Sequence, residues 1–159
     1  MQTRIISLLV EDHPGVLTRM SGMFTMRGIN ITSLTVSPCE TDGLSRMTVA
    51  IKGTESELEK IRKQISNLIE VVKVVDLRAE GAIIRDLCLL KVHTKDSDTR
   101  LEVMLLAESY GANIMDATQD SVIIELTEEP GKIDRFVDLM QHFGVKQLFR
   151  TGLTAIGRD

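Results

Sequence analysis

The apolar patterning predicts an α+β chain built from two tandem βαββαβ units. Three observations carry this. Period-two and period-3.6 stretches alternate in the order β-α-β-β-α-β, that order returns in the second half, and short strings of residues return with it.

In the first half, alternation and apolar runs mark strands over Arg4 to Val10, Asn30 to Ser37, Ser45 to Ile51 and Val71 to Leu77. Between them, Val16, Leu17, Met20, Met23 and Phe24 share one helical face. Leu58, Ile61, Ile65, Leu68 and Ile69 share another, and Thr54 with Glu57 forms a capping box that opens this second helix. The second half predicts strands at Leu87 to Val92, Ala112 to Thr118, Ser121 to Leu126 and Val145 to Phe149. Its helices run through Leu101, Met104 and Leu105, and through Ile133, Phe136, Val137 and Met140. Gly28-Ile29-Asn30-Ile31 returns as Gly111-Ala112-Asn113-Ile114. Aligning the halves leaves the first with about eight extra residues between its central strands, assigned to the loop Ser37 to Leu44. The expected division is a first domain over 1–78, a linker over 79–83 and a second domain over 84–159. Each is an antiparallel sheet with two helices on one face.

Of 159 residues, 43% are apolar, yet there are only four Phe, one Tyr and no Trp, so the cores must be aliphatic and Met-rich. That composition also argues against an RNA-recognition module on this fold. Such a module stacks bases on aromatic residues of its central strands, and Asn30 to Ser37 and Arg46 to Ile51 contain none. Acidic residues outnumber basic ones 23 to 19, which disfavours a phosphate-tracking surface. No apolar run approaches the roughly 20 residues of a membrane helix, and the N-terminus lacks a charged leader, so a cytoplasmic chain is expected. Cys39 and Cys88 stand far apart and fit a reducing compartment. His13, His93 and His142 lack Cys or carboxylate neighbours at ligand spacing, and no metal site is expected. No nucleophile–base pair or glycine-rich cofactor motif is present, so no catalysis by this chain alone is expected.

The sharpest local signal is Glu11-Asp12-His13-Pro14-Gly15-Val16-Leu17. Asp12 suits an N-cap, Pro14 a first helical turn, and Gly15 a close backbone approach. Free N–H groups at a helix start favour a carboxylate or phosphate, although from the loop alone a capped helix start and nothing more is the preferred reading. Gly15-Val16-Leu17-Thr18-Arg19 also matches a short acylphosphatase-like phosphate loop, without the further glycines and arginines that such a loop uses.

Taken with Met26 to Val36, Leu44 to Thr48, Gln64 to Val74 and the closing Arg150-Thr151-Gly152-Leu153-Thr154-Ala155-Ile156-Gly157-Arg158, the first loop closely resembles the small, regulatory subunits of acetohydroxyacid (acetolactate) synthase. The resemblance implies two ferredoxin-like domains, the N-terminal one an ACT domain that pairs with a second copy. It further implies a branched-chain amino acid effector, usually valine, held between the first loop of one protomer and the start of the second strand of another. Carried over residue by residue, Gly15 and Val16 N–H groups receive the effector carboxylate, Asp12 and Asn30 oxygens face its ammonium, and Leu17 and Ile31 line its aliphatic pocket. Asp12 stands where such subunits usually carry Asn. Thiamine diphosphate, Mg²⁺ and FAD are implied for the large catalytic subunit and no cofactor for this chain. The loop Pro38, Cys39, Glu40, Thr41, Asp42 and Gly43, where the first domain outgrows its repeat, is the expected large-subunit contact. The alternative is a free-standing ACT-type amino-acid sensor serving another client.

Overall fold

The computed structural model describes residues 2–77 and 81–158. In the first half β1 (Gln2–Glu11), α1 (Val16–Met26), β2 (Ile31–Pro38), β3 (Leu44–Gly53), α2 (Glu55–Ile65) and β4 (Val71–Leu77) build an antiparallel sheet in the order β2-β3-β1-β4. The second half contributes β5 (Ala82–His93), α3 (Ser97–Ser109), β6 (Asn113–Ala117), β7 (Ser121–Glu128), α4 (Pro130–Gln141) and β8 (Val145–Arg150), in the order β6-β7-β5-β8. The orders coincide once β5 is matched to β1, so the repeat in letters is also a repeat in topology. A short ninth strand, β9 (Thr154–Gly157), has no counterpart among the predicted elements.

Strand parity explains each core. Ile6, Leu8 and Val10 of β1 share a face with Met47, Val49 and Ile51 of β3, and that face is closed by Val16, Met20, Met23 and Phe24 of α1 and Leu58, Ile61 and Ile65 of α2. In the second unit Cys88, Leu90 and Val92 meet Val122, Ile124 and Leu126 beneath Val103 and Ala107 of α3 and Ile133, Phe136 and Met140 of α4. The capping box of α2 forms as predicted: the Thr54 hydroxyl accepts from Glu57 N–H, and Glu57 Oε2 accepts from Thr54 N–H at 2.8 Å.

Four local expectations need correction. The cap of α1 is Gly15 with no side-chain cap, and Asp12 lies three residues further out. α2 stops at Ile65, because Ser66 and Asn67 turn the chain, and Ile69 is 88% exposed and outside the helix. α3 buries Val103 and Ala107, while Leu101 and Leu105 face outward; apolar residues occur all around this helix, so spacing alone could not select its inner face. The extra length of the first hairpin is mostly paired strand, since β2 and β3 run for 8 and 10 residues against 5 and 8 in β6 and β7. Ser37 and Pro38 pair with Arg46 and Ser45, leaving only Cys39 to Gly43 as the turn.

The compact units also differ from a division by sequence position. One reaches to Ile83 and includes the chain from Leu153 onward; the other is Ile84–Gly152. Of the expected linker and its approach, Arg78, Ala79 and Glu80 lie outside the described residues. The C-terminal segment crosses the face of the first sheet opposite its helices. Leu153 N–H donates to Ser33 Oγ at 2.6 Å, Thr35 Oγ1 donates to Leu153 O at 2.9 Å, and Arg158 N–H donates to Gly81 O at 3.0 Å. Beneath this strap Ser7, Thr48, Ala50 and Leu77 are buried. A four-residue strand has too short a pattern to be recognised, and its burial depends on a sheet far away in sequence.

Candidate functional site

β1 delivers the first loop to one end of the sheet. There Glu11 N–H donates to Glu70 O and Asp12 N–H donates to Gly43 O, each at 2.9 Å. The loop is thereby tied to both the turn before β4 and the β2–β3 turn. Gly15 has φ +92°, the left-handed region that disfavours a side chain, so glycine is required there. Its carbonyl starts α1 by accepting Arg19 N–H at 3.0 Å. Val16 N–H is directed at His13 O across a long 3.5 Å, while among the described residues the N–H groups of Gly15, Leu17 and Thr18 have no backbone acceptor. The loop therefore presents free donors at a positive helix end.

The side chains divide. Val16 is buried in the core, whereas Leu17 is 45% exposed and Asp12 is exposed. Beneath them Arg19 is ion-paired to Glu70, whose side chain is only 4% exposed, which clamps the first turn of α1 to the turn before β4. His13 bridges Glu11 at 2.9 Å and lies 3.2 Å from Pro14 O. The Pro14 carbonyl, and then the Glu11 carboxylate, hold the imidazolium pKa above its ordinary 6.5.

Asn30 and Ile31 sit elsewhere. Asn30 is exposed between the Gly28 turn and β2, and Ile31 is half-buried against the core, opposite Ile51, which in turn faces Arg4. α1 has 11 residues and is thus about 16 Å long, with Gly15 before its start and Asn30 beyond its end. One chain cannot bring Gly15 and Asn30 to a single small ligand. Cavities of about 550 Å³ beside β9 and about 140 Å³ between Arg27 and α2 contain none of the six predicted effector residues.

What one chain does bring together is the first loop and the β2–β3 turn, two features predicted separately. That turn is well ordered by its own bonds: Cys39 N–H donates to Leu44 O at 3.3 Å, Leu44 N–H donates to Thr41 O at 3.2 Å, and Arg46 pairs with Glu40 at 2.8 Å. Gly43 takes φ +78° and directs its carbonyl to Asp12. Glu70 was not singled out in the sequence, and Gly43 was singled out only as a large-subunit contact, not as the acceptor for Asp12. A carboxylate before an apolar strand reads as a solvated turn, and a backbone carbonyl leaves no trace in composition. Among the described residues no group of three His, Cys, Asp or Glu could hold a metal ion, and no helix is long and apolar enough to cross a membrane.

Comparison with known proteins identifies the family to which these two units belong. Residues 6–73 match the family described as the AHAS small subunit-like ACT domain, and residues 85–159 match the small subunit of acetolactate synthase. The probable acetolactate synthase small subunit of Methanothermobacter thermautotrophicus is 44% identical, over 98% of this chain and 93% of that protein. The chain belongs to the acetolactate synthase small-subunit family. The small subunit of Bacillus subtilis is 40% identical over 98% of this chain and 90% of its own. The crystal structure of the Thermotoga maritima small subunit superposes with a TM-score of 0.91 at 34% identity, covering 100% of this chain and 99% of that one. As an acetolactate synthase small subunit the chain is the regulatory, not the catalytic, partner of that enzyme, and its first domain is an ACT domain. The second family match runs to residue 159, although the residues from Leu153 fold onto the first unit.

Proposed function

We propose that this chain activates an acetolactate synthase large subunit and confers feedback inhibition by valine or another branched-chain amino acid, bound between two ACT domains. The observation that carries the reading is the separation of Gly15 from Asn30 by the length of α1. β2 is a sheet edge, and two β2 edges pairing antiparallel invert one copy relative to the other. Inversion moves Asn30 of the second copy to the sheet end that holds the first loop, so a site split within one chain becomes whole between two. Gly15 and Leu17 N–H groups then face the effector carboxylate, Asp12 and Asn30 its ammonium, and Leu17 and Ile31 its side chain. Val16, with its side chain in the core and its N–H directed at His13 O, offers no free donor in the single chain, unlike Gly15 and Leu17. The protein works in the cytoplasm, and thiamine diphosphate, Mg²⁺ and FAD reside on the large subunit.

Control of this kind requires that the effector bind two states of the assembly with different affinities. Because the β2–β3 turn is hydrogen-bonded to the effector loop, a shift of Asp12 on binding is transmitted to Gly43 and to the exposed turn side chains that face the large subunit. The test is co-purification with a large subunit and assay of acetolactate formation with and without valine. Activity should rise with this chain and fall with valine only in its presence; neither association nor a change in rate would overturn the reading.

Two further results are expected. Replacing Glu40, Thr41 and Asp42 by Ala, with Gly43 kept so that Asp12 retains its acceptor, should weaken activation severalfold and leave valine calorimetry unchanged. Equal activation would exclude the turn as the contact. Valine affinity should also decline as pH rises through the raised pKa of His13. The imidazolium charge is present at low pH and is lost as pH rises through a value raised above the ordinary 6.5, and a cation beside the loop favours the effector carboxylate. His13→Gln should flatten the profile over about pH 6 to 8; a profile unchanged by that substitution assigns the dependence to another group.

A further inference from the structure

α2 presents a second face beside the one it buries. Glu57, Lys60, Ile61 and Gln64 fall at i, i+3, i+4 and i+7, so they share one side of the helix, and that side borders a crevice of about 140 Å³. Arg27 and Ile29 form the opposite wall. They are fixed there by the turn that ends α1: both N–H groups donate to Phe24 O at 3.1 Å, and Gly28 between them takes φ +64°. A cavity of this size holds a molecule about as large as benzene. All six residues lie in the first unit, and none belongs to the first loop, β2 or the β2–β3 turn.

The charges of the lining do not cancel. Glu57 Oε2 is committed to the capping box, accepting from Thr54 N–H and from Thr54 Oγ1 at 2.8 Å each. Arg27 and Lys60, by contrast, make no ion pair among the described residues. Two cations against one carboxylate leave the crevice positive. One further lining group is unsatisfied: Gln64 Oε1 is shut off from solvent and, among the described residues, has no hydrogen-bond partner. A buried acceptor left unpaired is costly, so it marks a place for a donor. Ile29 and Ile61 add an apolar wall. We infer that this crevice binds a small 2-hydroxy carboxylate. Arg27 and Lys60 hold the carboxylate, Gln64 Oε1 accepts from the hydroxyl once its amide turns toward the ligand, and the two isoleucines pack on an aliphatic body. The small volume keeps hydroxyl and carboxylate on adjacent carbons. A monoanion suits a positive lining, whereas a zwitterionic amino acid brings an ammonium beside two cations. The site is complete within one chain and does not rest on the pairing of two ACT domains.

Calorimetry on the full-length chain with 2-hydroxy-3-methylbutanoate, the hydroxy counterpart of valine, tests this. It should bind about fivefold more tightly than 3-methylbutanoate, which lacks the donor, as one neutral hydrogen bond allows. Gln64→Met should bring the two acids to equal affinity, a change of ratio that altered packing alone does not produce. Arg27→Gln and Lys60→Gln should each weaken both acids about threefold. Both of these side chains are exposed, so urea midpoints should stay at the wild-type value. Asn30→Ala should leave the hydroxy acid binding as before, which separates this crevice from the interchain valine site. The inference is overturned by a wild-type chain that gives no heat with the hydroxy acid or binds the two acids equally, or by a Gln64→Met variant that keeps the preference. It is overturned as well if Asn30→Ala abolishes the binding, which would place the hydroxy acid between two copies.

Discussion

Asn30→Ala should lower valine affinity about ten- to a hundredfold and leave the fold intact. A hydrogen bond to a charged group contributes about 1.5–3 kcal/mol, and each 1.4 kcal/mol is a factor of ten in binding. The fold should survive because Asn30 is exposed at the mouth of β2. Asn113 provides an internal control: it holds the same place in the second repeat, but its amide donates to Glu125 at 3.4 Å. Asn113→Ala should leave valine binding unchanged. Calorimetry with valine, leucine and isoleucine decides the matter, and a wild-type chain that gives no heat with any of them removes the pocket altogether. One methylene in an apolar pocket is worth roughly 1–3 kcal/mol, so discrimination among the three should be modest.

Asp86→Ala should destabilise the second unit by about 2–3 kcal/mol. The Asp86 side chain is 3% exposed and accepts from Arg150 Nε at 2.7 Å and Nη2 at 2.6 Å, with Thr151 Oγ1 and Gly152 N–H each at 3.3 Å. One carboxylate thus joins β5 to the end of β8 and to the turn from which the C-terminal strap departs. Removing it leaves donors unpaired in a largely dry site, the costly way to break an ion pair. The full penalty for a buried pair is moderated here because Arg150 is 28% exposed and keeps Asp134 at 2.5 Å. Asp134 is 62% exposed, so Asp134→Ala should cost less than about 1 kcal/mol. Urea unfolding of the two variants side by side separates the cases; equal midpoints would show that burial of Asp86 carries no special energy.

The predicted strands mostly lie within one or two residues of those observed, because burial of one sheet face leaves an alternation that survives in the letters. β5 is the exception, beginning at Ala82 where the prediction began at Leu87. α3 lies where it was expected, but its inner face was not legible: Leu101, Met104 and Leu105 have the correct spacing on a helix with apolar residues on every side. The hairpin surplus was correctly detected and wrongly located, since a length difference between repeats does not say whether the added residues pair. Gly15 was legible as a backbone requirement, and φ +92° supplies the reason. Its role as the cap, in place of Asp12, was not, because a left-handed residue ends the loop before any side chain can reach back.

From the order of residues alone one reads two βαββαβ repeats, aliphatic cores and a loop of donors at a helix start. These are local or periodic properties, written wherever neighbouring residues share a face. Only the folded chain shows that Gly15 and Asn30 lie at opposite ends of α1, that Gly43 holds Asp12, and that the residues from Leu153 strap the first sheet. Each of these joins positions far apart in sequence through sheet register or backbone hydrogen bonds. Such contacts leave no periodic signal, because they are set by which strands pair and in what phase, and that is decided when the whole core closes.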